Sequence, residues 1–423
     1  MNRYERYKDS GIPWLGEVPA HWNVVKLQYL ISCTSGDALP SSFIYKDKDD
    51  GNSIPVIGGN GLFGYTTNSN FIGNCLSVGR VGALCGNIHY IDYPSWINDN
   101  ALIVRLISDQ IILEFLEYIL ISRNLNELAS KTAQPLLTGT QVKYEKIVVP
   151  PTDEQTAIAH YLDTKLGEID ALIDKQQTLL EKLSEQRTAV ITHAVTKGLN
   201  PAAPMKNRGV EWLGDVPAHW VVMPVKFSLA MPITDGPHET PEILSDGIPF
   251  ISAEAVKNDK LDFNKKRGYI SEADNQRFSK KYSPLKGDIY MVKSGATTGN
   301  VAKVETDEVF NIWSPLAVMR PDKNKISTDF LFYAIKSNYF NTSVQLKWNM
   351  GTQQNIGMGI LSNIRIFVPP TNEQAAIADY LDQETAKIDR LCDTVNQTIG
   401  RLKEYRTALI TQAVTGKIKV TDE

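Results

Sequence analysis

Histidines, cysteines and two Pro-Pro pairs are the residues of this chain whose types could carry chemistry. His21, His89, His160, His193, His219 and His238 contain no HExxH pair, and no cysteine stands near them as a zinc partner. Cys33, Cys75, Cys85 and Cys392 form no CxxC pair. Cys75 and Cys85 could meet across a hairpin, although free thiols in a reducing compartment suit the scatter better. The prolines at 150–151 and 369–370 lie between Val and Thr, whereas an adenine methyltransferase loop carries Asp or Asn before the pair and an aromatic after it. Gly295-Ala-Thr-Thr-Gly299 has the glycines of a phosphate cradle but not its lysine, and no Walker-type loop exists. The expectation is a noncatalytic chain with no cofactor and no metal.

The strongest pattern is a duplication. Gly11-Ile-Pro-Trp-Leu-Gly-Glu-Val-Pro-Ala-His-Trp22 returns as Gly209-Val-Glu-Trp-Leu-Gly-Asp-Val-Pro-Ala-His-Trp220. Pro151-Thr-Asp-Glu-Gln155 returns as Pro370-Thr-Asn-Glu-Gln374. Both of these open long segments with an apolar grid of period seven. Leu162, Ile169, Leu183 and Val190 mark the first, with Leu166, Ile173 and Leu180 four residues on. Leu381, Ile388, Val395, Leu402 and Leu409 mark the second. Such a stripe predicts two helices of about 40 residues, roughly 60 Å each, that seek a partner helix along a narrow seam. Thr152-x-x-Gln155 and Thr371-x-x-Gln374 fit capping boxes that start them.

The expected layout is therefore 1–150, a motif and first domain; 151–197, a spacer helix; 198–369, linker, repeated motif and second domain; and 370–423, a second spacer helix with its tail. The fold class is α+β, with two mixed α/β domains held apart by an antiparallel coiled coil in a pseudo-twofold tandem repeat. In the first domain Ile54–Ile57, Leu76–Val78 and Ile147–Val149 are strand candidates, the Gly58–Gly61 turn separating the first two, and Phe115–Leu120 is a helix candidate. In the second, Ile248–Ile251, Asp288–Val292 and Ile364–Val368 are the strands and Phe330–Ile335 the helix.

The net charge of −4 is unevenly spread: 151–200 carries −3, while 201–369 carries +3. A chain this acidic binds DNA weakly by itself, because nonspecific affinity rests on Lys and Arg meeting phosphates. No apolar run approaches the roughly 18 residues of a membrane span, and the first residues lack the apolar stretch of a secretory leader, so a cytoplasmic protein is expected.

The repeated Trp-Leu-Gly-x-Val-Pro-x-His-Trp, the repeated Pro-Pro-Thr-x-Glu-Gln-x-Ala-Ile-Ala, Asp235-Gly-Pro-His-Glu-Thr-Pro241, Gly287–Gly295 and Val56–Gly61 together resemble the specificity subunit of type I restriction–modification systems, over essentially the whole chain. Pro237 stands where that family usually has Thr. The resemblance implies two target-recognition domains, each reading one half of a split double-stranded DNA site. It also implies two methyltransferase subunits and motor-nuclease restriction subunits as the partners that do the chemistry. Loops are where base contacts are expected. In the first domain the candidates are Asn60, Tyr65, Arg80, Thr138, Thr140 and Gln141. In the second they are His238, Thr240, Lys293, Ser294, Thr297, Thr298, Lys347, Gln353 and Gln354. Each reads equally well as an ordinary turn or solvated residue. The seam is assigned to Leu162, Ile169, Leu183, Leu381, Ile388 and Leu402. Lys257–Lys286 has nine Lys/Arg against four Asp/Glu and suits a phosphate-facing surface. The alternative from another class is a coiled-coil scaffold protein that reads no DNA.

Overall fold

The computed structural model describes residues 3–130, 134–209, 213–347 and 355–420. They form two compact units, Met1–Gln177 with Asn396–Glu423, and Thr178–Val395. Each is mixed helix and sheet.

In the first unit four antiparallel strands lie in the order Ile31–Ser35, Ala101–Leu106, Cys75–Gly79, Ile88–Ile91. A smaller sheet sets Ile54–Gly58 between Gly61–Thr66 and, in parallel, Trp96–Ile97. The second unit repeats both arrangements. Its larger sheet runs Thr234–Asp235, Leu316–Met319, Ile289–Val292, Val301–Lys303. Its smaller one sets Ile248–Ile251 between Gly268–Ile270 and, in parallel, Asn311–Ile312. Cys75–Gly79 and Ile289–Val292 are buried at every residue, which is why they appear in the sequence as short apolar runs.

One expectation about connectivity is corrected here. The Gly58–Gly61 turn does not lead to Leu76–Val78. It closes a hairpin onto Gly61–Thr66, a strand the sequence pattern did not reveal, and Leu76–Val78 belongs to the other sheet. Gly61 sits at φ +86, a conformation open to glycine at little cost.

The long helices span Thr152–Lys197 and Thr371–Val414. Within the first unit Arg406 Nε donates to Asp170 Oδ1 at 3.0 Å, and Ser122 Oγ to Thr411 Oγ1 at 3.1 Å. Within the second, Arg187 Nη1 lies 3.4 Å from Asp389 Oδ1. In both units an early part of one helix meets a late part of the other, so the pairing is antiparallel. Leu162, Ile169, Leu183, Leu381 and Ile388 are buried along the seam, while Leu402 is half-buried. Each fully buried leucine contributes about 2 kcal/mol.

The expected capping boxes at the helix starts are also corrected. Gln155 is fully buried, and it brackets the loop ahead of the short helix Leu113–Arg123. Its Nε2 donates to the carbonyls of Gln110 and Pro150 at 2.8 Å, and its Oε1 accepts from Ile112 N at 2.9 Å. Gln374 does the same work. Its Oε1 accepts from Ser327 N at 2.7 Å, and its Nε2 donates to Lys325 O and Pro369 O. The short helices Leu113–Arg123 and Thr328–Lys336 then hook to the long ones, Tyr118 hydroxyl to Asp163 and Tyr333 hydroxyl to Asp382.

Candidate nucleic-acid interface

The frame that holds the candidate loops is built by the two repeated motifs meeting each other. In the first unit Trp22 is fully buried and its Nε1 donates to Glu154 Oε2 at 3.1 Å. His21 Nε2 lies 2.6 Å from Glu154 Oε1, and the Tyr4 hydroxyl donates to Oε2 at 2.8 Å. Burial pushes the Glu154 carboxyl up, but the donors from His21, Trp22 and Tyr4 outweigh it and hold the group below its ordinary range. In the second unit Trp220 Nε1 donates to Glu373 Oε1 at 3.0 Å, with His219 Nε2 at 2.8 Å from Oε2. The helix ends close over these clamps. A Cβ on Gly416, at φ +71, would lie 2.4 Å from Pro19, and one on Gly198, at φ +76, would lie 3.2 Å from the Trp220 ring. His21 and His219 are therefore positioning groups of a Trp–Glu clamp.

The candidate loops stand on the larger sheets. Arg80 directly follows the strand Cys75–Gly79 and Lys293 directly follows Ile289–Val292, so the two occupy one position of the repeated fold. Arg80 N donates to Asn100 O and its carbonyl accepts from Leu137 N. Lys293 N donates to Pro315 O and its carbonyl accepts from Ile356 N. Arg80 Nη1 donates to Ser35 Oγ at 3.0 Å, whereas Lys293 Nζ lies 3.3 Å from Asp235 Oδ2. Asp235 is buried and gathers Lys281 Nζ at 2.5 Å and His238 Nε2 at 3.0 Å as well. Burial alone would raise its carboxyl, yet Lys281, Lys293 and His238 hold it below the usual range.

The fold thus brings His238, Lys293, Ser294, Thr297 and Thr298 around one sheet end, with Thr240 exposed just beyond. An open groove of about 670 Å³ beside them is lined by Ser252, Glu254, Ser294, Thr297 and Trp313. The Arg267 guanidinium stacks on Trp313 at 4.0 Å. Lys347 is exposed at the end of another helix, Asn338–Lys347, and Gln353 and Gln354 lie outside the described residues. In the first unit Asn60 accepts from Asn87 Nδ2 at 3.1 Å, beside the loop that Arg80 begins. Thr138 and Gln141 form the capping box of a short helix, and Gln141 Nε2 also donates to Leu128 O at 2.6 Å. Those two side chains are committed to local structure. Thr140 is exposed in the first turn of that helix, and Tyr65 is half-buried in the smaller sheet.

The basic run is partly neutralised. Arg277 pairs with Asp274 and Glu239, Lys281 with Asp235, and Lys286 with Asp307. Lys257, Lys265 and Lys280 are exposed and have no ion-pair partner among the described residues.

A family model described as the type I restriction modification DNA specificity domain matches twice, over residues 19–182 and 238–400. The chain belongs to the type I restriction–modification specificity family. A relative from Escherichia coli, the type I restriction enzyme EcoprrI specificity subunit, is 30% identical over 156 residues, 37% of this chain and 36% of that protein. The chain thus matches it over about a third of its length. The EcoBI specificity subunit of Escherichia coli is 22% identical over 97% of this chain and 89% of its own length. A solved structure from work on complex assembly and conformational transition of the type I system shares the fold. It has a TM-score of 0.67 at 16% identity, and covers 95% of this chain and 99% of that one.

Sequence inspection missed one element of this specificity-family chain that it could have found. Arg80-Val-Gly-Ala-Leu-Cys-Gly-Asn87 and Lys293-Ser-Gly-Ala-Thr-Thr-Gly-Asn300 share Gly-Ala-x-x-Gly-Asn at equal spacing. It is a third repeat, hidden inside the two divergent sections.

Proposed function

We propose that this chain is the noncatalytic DNA-recognition subunit of a type I restriction–modification complex. Each domain reads one half of an asymmetric bipartite duplex site, and partner methyltransferase and restriction subunits methylate adenine and cleave. The observation that carries this reading is one sheet topology used twice, in two sections whose sequences largely diverge. Two different readers on one repeated frame suit two unlike half-sites. The net charge of −4 and the partly paired basic run leave the chain short of the positive surface that grips phosphates alone, so methyltransferase subunits complete the DNA grip. The base-contacting residues we assign are Asn60 and Thr140 in the first half. In the second they are His238 and Thr240, with Lys347, Gln353 and Gln354 on the segment ahead of the last strand. No helix among the described residues is long and apolar enough to cross a membrane, and the site of action we assign is the cytoplasm.

Methylome sequencing of cells with and without the gene tests this directly. A new bipartite methyladenine motif that depends on the gene is the expected result. Absence of any gene-dependent motif when the methyltransferase subunits are expressed would favour a scaffold that reads no DNA.

A further inference from the structure

The loops Arg80–Asn87 and Lys293–Asn300 are superposable in their hydrogen bonding although they stand in otherwise divergent domains. Gly86 N donates to Gly79 O and Gly299 N to Val292 O. Gly79 N takes the carbonyl of Asn87 and Val292 N that of Asn300, while Cys85 N and Thr298 N reach back to Gly82 O and Gly295 O. All four glycines have positive φ: +85 and +90 in the first loop, +105 and +97 in the second. A Cβ on Gly82, Gly295 or Gly299 would meet nothing within 4 Å, so these glycines serve the backbone conformation and face open space.

At the tip of each loop two successive amides, Ala83 and Leu84 in one and Ala296 and Thr297 in the other, donate to no acceptor among the described residues. All four residues are exposed. The root of each loop is anchored by a basic side chain. Arg80 is tied to Ser35 and Lys293 to Asp235, each just before a glycine that packs on a strand carbonyl. A Cβ on Gly36 would come 2.3 Å from Ile97 O, and one on Gly236 would come 2.2 Å from Ile312 O.

We infer that these two loops are matched phosphodiester clamps, one per domain, that fix each domain on the DNA backbone and take no part in choosing bases. This rests on the proposed reading of bipartite duplex DNA. Two domains that read unlike sequences share only what is common to all sequences, and that is the sugar-phosphate backbone. Paired backbone N–H groups in a glycine-shaped turn are donors for an anion, and they act without adding net positive charge. That agrees with a chain of net charge −4.

The test uses the full chain assembled with its methyltransferase subunits and four variants at exposed positions: Ala83→Lys, Ala83→Glu, Ala296→Lys and Ala296→Glu. The probes are a duplex carrying the motif mapped for the unaltered complex and a duplex of equal length without it. Each Glu variant is expected to weaken both duplexes by a similar factor, on the order of tenfold at moderate salt, and each Lys variant to hold or tighten both. The slope of log affinity against log salt is expected to move by about one unit, in opposite senses for Lys and Glu. The methylated sequence stays the same throughout. Leu84→Glu and Thr297→Glu, also at exposed positions, repeat the measurement should one variant fail to assemble. A changed base in either half-site, or binding and slope equal to the unaltered complex in all variants, would overturn the clamp. An unaltered complex without any sequence preference would instead overturn the DNA-reading function beneath it.

Discussion

Glu154 and Glu373 show how one carboxylate sets a local geometry. Each accepts from a buried tryptophan and lies against a histidine, and those partners are 132 and 153 residues away in the chain. Glu154→Gln is expected to cost about 1–2 kcal/mol near neutral pH, the range of a hydrogen bond to a charged group in a partly solvated site. Because the Glu154 carboxyl is held below its ordinary value, its contribution is present above that value and fades as pH falls through the folded one. Urea melts of the two proteins are therefore expected to converge in acid and diverge at pH 7. Glu117 runs the other way. Burial, then Asp163 and Glu114, push its carboxyl up to about 7, against the pull of Arg406. Folding then favours the protonated form, so stability falls as pH rises from about 4.5 to about 7 and is level above. Glu117→Gln is expected to raise stability by about 1–2 kcal/mol at pH 8 and to change nothing at pH 4, allowing for its partial exposure. Equal effects at both pH values would show that the gain comes from packing instead.

At the scale of elements, the long helices are held by a narrow buried seam and by few charged contacts. Arg406–Asp170 is half-exposed and worth little, whereas Leu162, Ile169, Leu183, Leu381 and Ile388 are buried. Leu183→Glu places an unpaired charge at a buried position of that seam, and a loss of more than about 3 kcal/mol is expected. Leu402→Glu, at a half-buried position, is expected to cost clearly less. Circular dichroism melts of both variants check the order; equal losses would mean that the seam extends through Leu402. A second anchor is particular to the second unit. The turn Asn258-Asp259 adopts positive φ at both residues, and Asp259 reaches Arg187 at 2.8 Å and also pairs with Lys336. It lies in the longer of the two divergent sections, so the inserted chain braces its own domain against the long helix.

For the whole molecule the consequence is modularity. Asn23 pairs with Val149 and Val221 with Val368, so the two ends of each divergent section lie side by side in a strand pair. Exchanging residues 23–149 for the equivalent section of another family member is expected to change one half of the methylated motif and leave the other. Genome-wide methylation mapping reads this out; a change in both halves would refute independent reading. The same mapping tests whether the helix pair sets the number of unread base pairs between the halves. An insertion at Lys197–Pro204 would not lengthen the helices, because Lys197 and Gly198 are bound into the Trp220 clamp. Seven residues added to each helix, after Gln177 and after Val395, keep the heptad seam and add roughly 10 Å, about three base pairs of duplex. A gap longer by about that amount is expected. An unchanged gap with full activity would mean that partner subunits position the domains.

The duplication, the two long helices with their antiparallel seam and the family were all legible in the residues, because anchor motifs and heptad periodicity are local patterns that need no knowledge of the fold. Six of the strands were legible too, since a buried strand such as Leu76-Ser-Val78 or Ile289–Val292 must be apolar wherever it lies. The tertiary structure alone decided what the polar residues do. Gln155 and Gln374 matched a capping box by spacing, yet each also reaches a carbonyl and an amide more than forty residues away. Thr138 and Gln141 were singled out as DNA contacts, and the structure engages both in a helix cap, because a short polar side chain satisfies the nearest unpaired amide first. Arg80 and Lys293 were both named without any sign that they are one position. Their equivalence lies in backbone hydrogen bonds, which a sequence does not display, and only four identical residues in each loop record it.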